Sequence, residues 1–356
     1  MGVTIYDLAR EAGVGIGTVS RCLNNHPSVS PATRERVLSV IRQLSYQPHA
    51  YAHRLASPRT NTISTIIPFF TNYFFIEVLQ GVQDRALELG MDLILYGVND
   101  PQQVEYYLRR SLLRGHVDGV MFFSMTFPES FVQKFHQNLL PVVLVDTHHE
   151  MFDSISVKNR EGARVAVEHL ISLGHTQIAM INGRLDARPA AERLDGYQDA
   201  LLSGGITPRK EWIFSSGPGR LDGFTREAGR ILMHELIDWS IRNERITALF
   251  VASDIQAIGA LEAADELGVR VPEDIAIVSF DDIELARHAQ LTTMRQPMYT
   301  MGRLAVEQLL DRMKDRTLAA RTTSFLPELV LRNSSGCKRE PIPVDLPLGK
   351  KELHPV

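Results

Sequence analysis

From Thr62 onward the chain alternates short apolar runs with segments of helical period, and few folds accommodate that alternation. ISTIIPF (63–69), MDLILYGV (91–98), VDGVMFF (117–123) and LPVVLVD (140–146) are nearly continuous in apolar residues. A strand with one wet face would alternate; a continuous run predicts a strand covered on both faces, as in a parallel sheet. Helices are predicted between them over Phe75–Leu89, stopped by Gly90, and over Tyr106–Leu113. After Asn159 the rhythm starts again. Strands are predicted at QIAMING (177–183), Trp212–Ser215, TALFVAS (247–253) and IAIVSFD (275–281), with helices over Gly162–Leu173, Arg193–Ser203, Phe224–Leu236 and Ile255–Leu267. Two successive series predict an α/β core over 62–336 made of two doubly wound parallel-sheet subdomains with a cleft between them. The expected division is 62–160 plus 291–320 for one subdomain and 161–290 plus 321–336 for the other.

The first 46 residues follow a different pattern, an all-α helix-turn-helix headpiece. Thr4 with Asp7 three positions later is a capping-box start. Leu8 and Ala12 carry the apolar face, and Gly13 ends the helix. A second helix is predicted from about Gly17 to Leu23, and Ser30-Pro31 opens a third whose buried side is Val37, Val40, Ile41 and Leu44. Counting from Ile5, Ala9, Gly13 and Val19 take the fifth, ninth and fifteenth places. Those are a small residue at the helix crossing, a positive-φ turn and a buried apolar contact, which together present the second helix to a major groove. Thr18, Ser20, Arg21 and Asn24 are its polar groups, and Arg21 can donate twice to a guanine edge or clamp a phosphate. Charge agrees. Residues 1–59 hold seven arginines against three carboxylates, while the remainder is net acidic at −8.

The motifs TIYDLAREAGV, TVSR-x-LN, VS-x-x-TRERV, LSYQP and AHRLA, followed by GHTQIAMING, ERLDGYQDAL, ASDIQAIGAL, GVRVPEDIAIVSFDD and LTTMRQP, resemble the lactose/galactose-repressor family of bacterial transcriptional regulators over about residues 3–336. The resemblance implies a periplasmic-binding-protein-like core and places operator contacts at Thr4, Tyr6, Ile16, Gly17, Thr18, Ser20, Arg21, Asn24, Ser30, Thr33 and Tyr46. It makes residues 47–61 a hinge helix and linker, with Ala52 and Leu55 in the hinge, from which Leu55 would wedge into the minor groove between base pairs; an ordinary core leucine is the alternative. It also implies effector contacts at Tyr73, Phe74, Ser124, Asp146, Arg193, Ser253 and Asp281. All but Arg193 sit at or just after the carboxyl end of a predicted strand, where clefts of this class bind ligands. Tyr73 and Phe74 could equally be core, and Arg193 with Asp281 a structural charge pair.

This sequence departs from the family pattern in places. Gly15 stands where a serine usually caps the recognition helix, at a cost of a few tenths of a kcal/mol. With Gly17 it leaves Ile16 as the sizeable side chain at the variable positions. Ser253 replaces a common asparagine, Ser279 a usual glycine, and Lys158 a common acid; Pro189 lies in a loop used to tune specificity. A lysine near the cleft would admit an anionic ligand such as a sugar phosphate.

The expected function is a dimeric, sequence-specific regulator, a repressor, reading a pseudo-palindromic operator under control of a sugar-like effector. An activator or dual regulator of the same parts, and a transporter's solute-binding protein, are the alternatives. No enzyme is expected: no phosphate loop, nucleophile elbow or metal triad is present. No cofactor is called for. Cys22 and Cys337 form no framework, no run of apolar residues is long enough to span a membrane, and the N-terminus lacks a secretory core, so a cytoplasmic location is expected. The segment 337–356, with four prolines, is expected to be disordered and lacks leucine heptads for a tetramer.

Overall fold

The structure, a computed structural model, describes residues 3–23, 26–44, 46, 60–68, 73–217 and 222–336. They fall into two units, residues 1–60 and 61–356. Asn24, Ala52, Leu55 and the 337–356 tail lie outside the described residues.

In the first unit, helix α1 (Ile5–Glu11) begins at the expected capping box: the Asp7 amide donates to the Thr4 hydroxyl, and the Thr4 amide donates back to Asp7 at 3.0 Å. Gly13, at φ 62°, turns the chain. Helix α2 (Ile16–Leu23) starts one residue earlier than predicted, because the Gly15 carbonyl already accepts from Thr18 at 2.8 Å. Ser30 caps α3 (Pro31–Gln43) with its hydroxyl. Leu8, Val19 and Val37 are fully buried at the centre, with Ile41 and Leu44 packed against them as expected.

The second unit contains two six-stranded sheets. The first has β1 (Thr62–Pro68), β2 (Asp92–Val98), β3 (Gly119–Phe123), β4 (Val142–Val145), β5 (Asp153–Val157) and β11 (Thr322–Phe325). Its order is β11-β5-β4-β3-β1-β2, with every described pairing parallel. The second has β6 (Ile178–Asn182), β7 (Ile213–Ser215), β8 (Ala248–Val251), β9 (Ala276–Asp281), β10 (Thr292–Arg295) and β12 (Glu328–Val330), in the order β12-β10-β9-β8-β6-β7; only β12 runs antiparallel. Both orders reverse direction next to the first strand of each series, between β1 and β3 and between β6 and β8. That reversal opens a crevice at the carboxyl ends of the strands.

Helices cover both sheets: α4 (Tyr73–Glu88), α5 (Pro101–Ser111) and α6 (Glu129–Gln137) belong to the first, and α7 (Asn159–Ser172), α8 (Arg188–Ser203), α9 (Arg226–Arg242), α10 (Asp254–Glu266) and α11 (Glu284–His288) to the second. α12 (Met298–Lys314) returns to pack on α4 beneath the first sheet. Several elements start earlier than predicted. Asp100 caps α5, so it begins before Tyr106, and α8 begins at Arg188 with Pro189 in its first turn. The expected division needs correction. Strand 292–295 pairs with β9 in the second sheet, and strand 322–325 pairs with β5 in the first. The chain therefore crosses between sheets three times, at Lys158, at Gln296-Pro297 and at Leu326-Pro327. Backbone pairing sets these crossings, and the short polar strands TTMR and TTSF give no apolar run to reveal them.

Three helix pairs approach so closely that only glycine fits at the contact. A Cβ on Gly81 of α4 would sit 2.0 Å from the Tyr299 carbonyl of α12, and one on Gly302 2.0 Å from the Val78 carbonyl. Gly229 of α9 and Gly259 of α10 meet in the same reciprocal way, and Gly196 of α8 lies against the Arg160 carbonyl of α7. Gly81→Ala is expected to destabilise the protein by about 3 kcal/mol through overpacking against backbone that cannot rotate aside. Chemical denaturation checks this; a loss below about 0.5 kcal/mol contradicts the packing.

Candidate DNA-reading surface and ligand cleft

On the headpiece, α2 turns Val19 and Cys22 inward and leaves Ile16, Gly17 and Arg21 exposed, with Thr18 and Ser20 half-buried beside them. The Arg21 Nε donates to the Gly17 carbonyl at 3.0 Å, so the guanidinium lies back along the first turn of its own helix. A Cβ on Gly17 would come within 3.8 Å of Arg21 Nη2. The missing side chain at 17 thus leaves room for Arg21 at the helix's leading end. Tyr6 is 68% exposed. Thr4 and Ser30 are exposed, and Thr33 is half-buried, but the Thr4 and Ser30 hydroxyls are already engaged, with Asp7 and with Thr33. Tyr46 packs into the headpiece core, which is its structural role whatever its hydroxyl touches.

In the core, the loops at the carboxyl edges of the two sheets converge on one pocket. Phe74, Phe75, Ser124, Asp146, Pro189, Arg193, Asp222, Phe224, Ser253 and Asp281 are in its lining. Six of the seven expected effector contacts are among them. Tyr73 is not; it packs half-buried against the core, and its neighbour Phe75 lines the pocket instead. Asp222 and Phe224 are additions to the expected set: Asp222 lies in GPGRLDG, a stretch without apolar period, and Phe224 stands at the start of a predicted helix with nothing in its spacing to mark it as a pocket residue. A backbone signal marks the same place. Ser124, Asp146, Asp281 and Asp282 all have positive φ, between 48° and 125°, at strand ends where side chains are aimed into the crevice.

The centre of the pocket is charged and buried. Arg193 stands 3.6 Å from Asp281, donates from Nε to Asn159 at 2.9 Å and from Nη1 to the Ala252 carbonyl, and stacks on the Phe280 ring at 3.9 Å. Burial pushes the Asp281 carboxyl well above its ordinary range, the Arg193 charge opposing, and Gln296 donates to it at 2.6 Å. Ser253 caps α10 with its hydroxyl while also facing the pocket. Ser279, by contrast, is spent on Asp254 at 2.5 Å, a fully buried carboxylate that also accepts from Thr293 and the Ile283 amide. Lys158 is exposed and absent from the lining, so the lysine gives no ground for an anionic ligand.

The pocket, about 40 Å³, adjoins a larger chamber of about 540 Å³ that shares Ser124, Asp146, Ala187 and Asp222 with it and adds Glu105, Thr126, Thr147 and Asp186. Ser124 donates to Asp146 at 2.7 Å. Burial pushes the Asp146 carboxyl up to about 6, with the Ser124 bond and Arg193 opposing. Burial pushes Asp222 up to about 6 as well, and the charge on Asp146 adds to the rise. A carboxyl raised in this way stabilises the folded state below its unfolded value, near 4, and that contribution disappears as pH rises through 6. Asp222→Asn is therefore expected to raise the melting temperature of the ligand-free protein at pH 7.5, by about 2–6 °C, and to leave it nearly unchanged at pH 4. Scanning fluorimetry at the two pH values checks this; an equal shift at both overturns the assignment. Arg193→Met leaves Asp281 buried without its counter-charge and is expected to cost about 3–5 kcal/mol in chemical denaturation.

Comparison with known proteins agrees with both halves. The family model described as bacterial regulatory proteins, lacI family, matches residues 4–49, and the one described as a periplasmic binding protein-like domain matches residues 167–335. The chain is 34% identical to catabolite control protein A of Priestia megaterium, over 94% of this chain and all of that protein. Among solved structures, a complex of the transcriptional regulator CelR with cellobiose is 31% identical with a TM-score of 0.70, covering 94% of this chain and all of that one. The lac repressor dimer bound to operator and an anti-inducer is 27% identical with a TM-score of 0.81, covering 94% of this chain and 99% of that one.

Proposed function

The chain belongs to the lacI family of bacterial regulatory proteins, and from that premise we propose that it is a repressor that binds a pseudo-palindromic operator as a homodimer and releases or grips it according to a sugar-sized ligand in the cleft. As a member of that family it is a sequence-specific DNA-binding transcriptional regulator controlled by a small-molecule effector. The observation that carries the finer reading is the convergence of Phe74, Ser124, Asp146, Arg193, Ser253 and Asp281 on one pocket at the reversal point of both sheets. Aromatic faces beside buried hydrogen-bonding groups suit a ring with several hydroxyls.

A dimer is supported by an apolar groove on the outer side of the first sheet. It is lined by Leu79, Leu87, Met91, Leu93 and Leu95, and Leu87 is 77% exposed. Burying such a surface against its own copy is the economical way to hide it, and a two-fold pair places identical readers on related half-sites. Among the described residues no helix is long and apolar enough to cross a membrane; a regulator that meets DNA is proposed to work in the cytoplasm.

In vitro selection from randomised duplexes, followed by anisotropy titration, tests the reading. A two-fold symmetric consensus is expected, with affinity falling steeply as salt rises. Arg21→Ala is expected to weaken binding to the selected site about tenfold or more, with unchanged circular dichroism. Ile16→Ala is expected to change the preferred bases next to the half-site centre. Recovery of no consensus, or an asymmetric one bound by monomer, overturns the proposal.

A further inference from the structure

The pocket and the outer chamber meet at two carboxylates from opposite subdomains. Asp146 follows β4 of the first sheet; Asp222 precedes α9 of the second, and both line both spaces. Among the described residues neither forms an ion pair with a side chain. Asp146 accepts from the Ser124 hydroxyl and Asp222 from the Phe224 amide at 3.1 Å. The guanidinium groups nearby are engaged elsewhere: Arg193 with Asp281 and Asn159, Arg188 with Glu192 at 2.6 Å, Arg184 with Asp186. The chamber wall adds the carboxylates of Glu105 and Asp186, with Arg188, His148 and the hydroxyls of Thr126 and Thr147 beside them. The carboxylates of Glu105, Asp146, Asp186, Asp222 and Asp281 line the two spaces against the guanidinium groups of Arg188 and Arg193, so the balance of charge at the junction is negative.

We infer that the effector carries a protonated amine, seated between Asp146 and Asp222, and is therefore an amino sugar or a compound of like build. The inference rests on the cleft being the effector site. An ammonium group has three donors and one positive charge, so it can bond both carboxylates at once with charge-assisted hydrogen bonds. A hydroxyl can bond each of them but leaves two like charges facing across the cleft, and a phosphate adds a third. The rings of Phe74, Phe75 and Phe224 meanwhile offer apolar faces to the body of the ring. Because the two carboxylates belong to different subdomains, the same ammonium group favours the closed arrangement, so recognition and closure are one event.

Calorimetry on the full chain at pH 7.0 with glucosamine, galactosamine and mannosamine, each against its N-acetyl counterpart and the parent hexose, tests this. At least one amine is expected to bind about tenfold or more tighter than both of its neutral counterparts. Asp222→Asn is expected to erase that preference, and Asp146→Asn provides the same test should the first variant fold poorly by circular dichroism. The inference is overturned if the neutral sugars bind as tightly, if the preference survives both substitutions, or if no amine binds. The premise stands separately: a neutral sugar whose binding is lost in an Arg193→Ala variant that circular dichroism shows to be folded keeps the cleft as the effector site while removing the amine, whereas binding that ignores Arg193 removes both.

Discussion

The Arg193–Asp281 pair is the interaction on which the rest of the core depends. Burying two charges is costly and often contributes no net stability, so the arrangement needs a reason beyond holding the fold together. Its connections supply one. Arg193 reaches Asn159, the first residue after the Lys158 crossing, and Asp281 is held by Gln296 at the second crossing, through both the side chain and a backbone bond of 3.1 Å. Both amides are buried, and neither lines the pocket. A ligand that draws on Arg193 or Asp281 thus pulls on groups bonded to two of the three strands joining the subdomains. Differential contact of that kind is what a ligand needs in order to bias a closure equilibrium.

What keeps the movement at the crossings is the stiffness of the halves. In the first, Asp153 is fully buried and clamped by Arg312 of α12 at 2.7 Å and Arg321 beside β11 at 3.0 Å. In the second, Asp282 is held by Arg295 of β10 at 2.7 Å and Arg332 beyond β12 at 2.5 Å. Each clamp fastens the segments that enter or leave by a crossing onto the sheet they join. The glycine contacts of α4 with α12 and of α9 with α10 add backbone-to-backbone packing that cannot yield by a rotamer change. Two halves stiffened in this way and joined by three short strands are suited to answer a cleft ligand by rotation about the strands.

Much of this was legible in the sequence. Ala9, Gly13 and Val19 at helix-turn-helix spacing, and the capping residues Thr4 and Ser30, gave the headpiece because each is a local rule. The buried strands were readable because a covered strand is apolar on both faces. The candidate effector residues came from the family resemblance, and their strand-end positions fit the topology; Tyr73 falls outside the pocket lining and Phe75 within it, because which ring of Tyr73, Phe74 and Phe75 faces the crevice depends on the helix's rotation. What was not legible was non-local. The polar strands 292–295 and 322–325 owe their sheets to pairing partners well over a hundred residues away in one case, and α12 owes its place to Gly81 and Gly302. Lys158 misled because adjacency in sequence to Asn159 does not put its ammonium group in the cleft.

The headpiece and the cleft bear on each other through energetics. Gly15 and Gly17 remove two side chains from the leading turn of α2, and Arg21 folds back over the vacated turn. On the proposed reading, a recognition helix with Ile16 and Arg21 at its tip offers fewer side chains for base contacts, each good bidentate pair being worth about 1–3 kcal/mol of discrimination. More of the operator affinity then rests on phosphate contacts, which fix register without reading sequence. In the proposed dimer those contacts require both headpieces to be held at the half-site spacing at once. An effector coupling of about 1–3 kcal/mol is small against a large set of base contacts but decisive against a small one. The sparse recognition helix and the strongly wired cleft are thus complementary: the fewer bases the reader grips, the more fully the effector controls whether it stays bound.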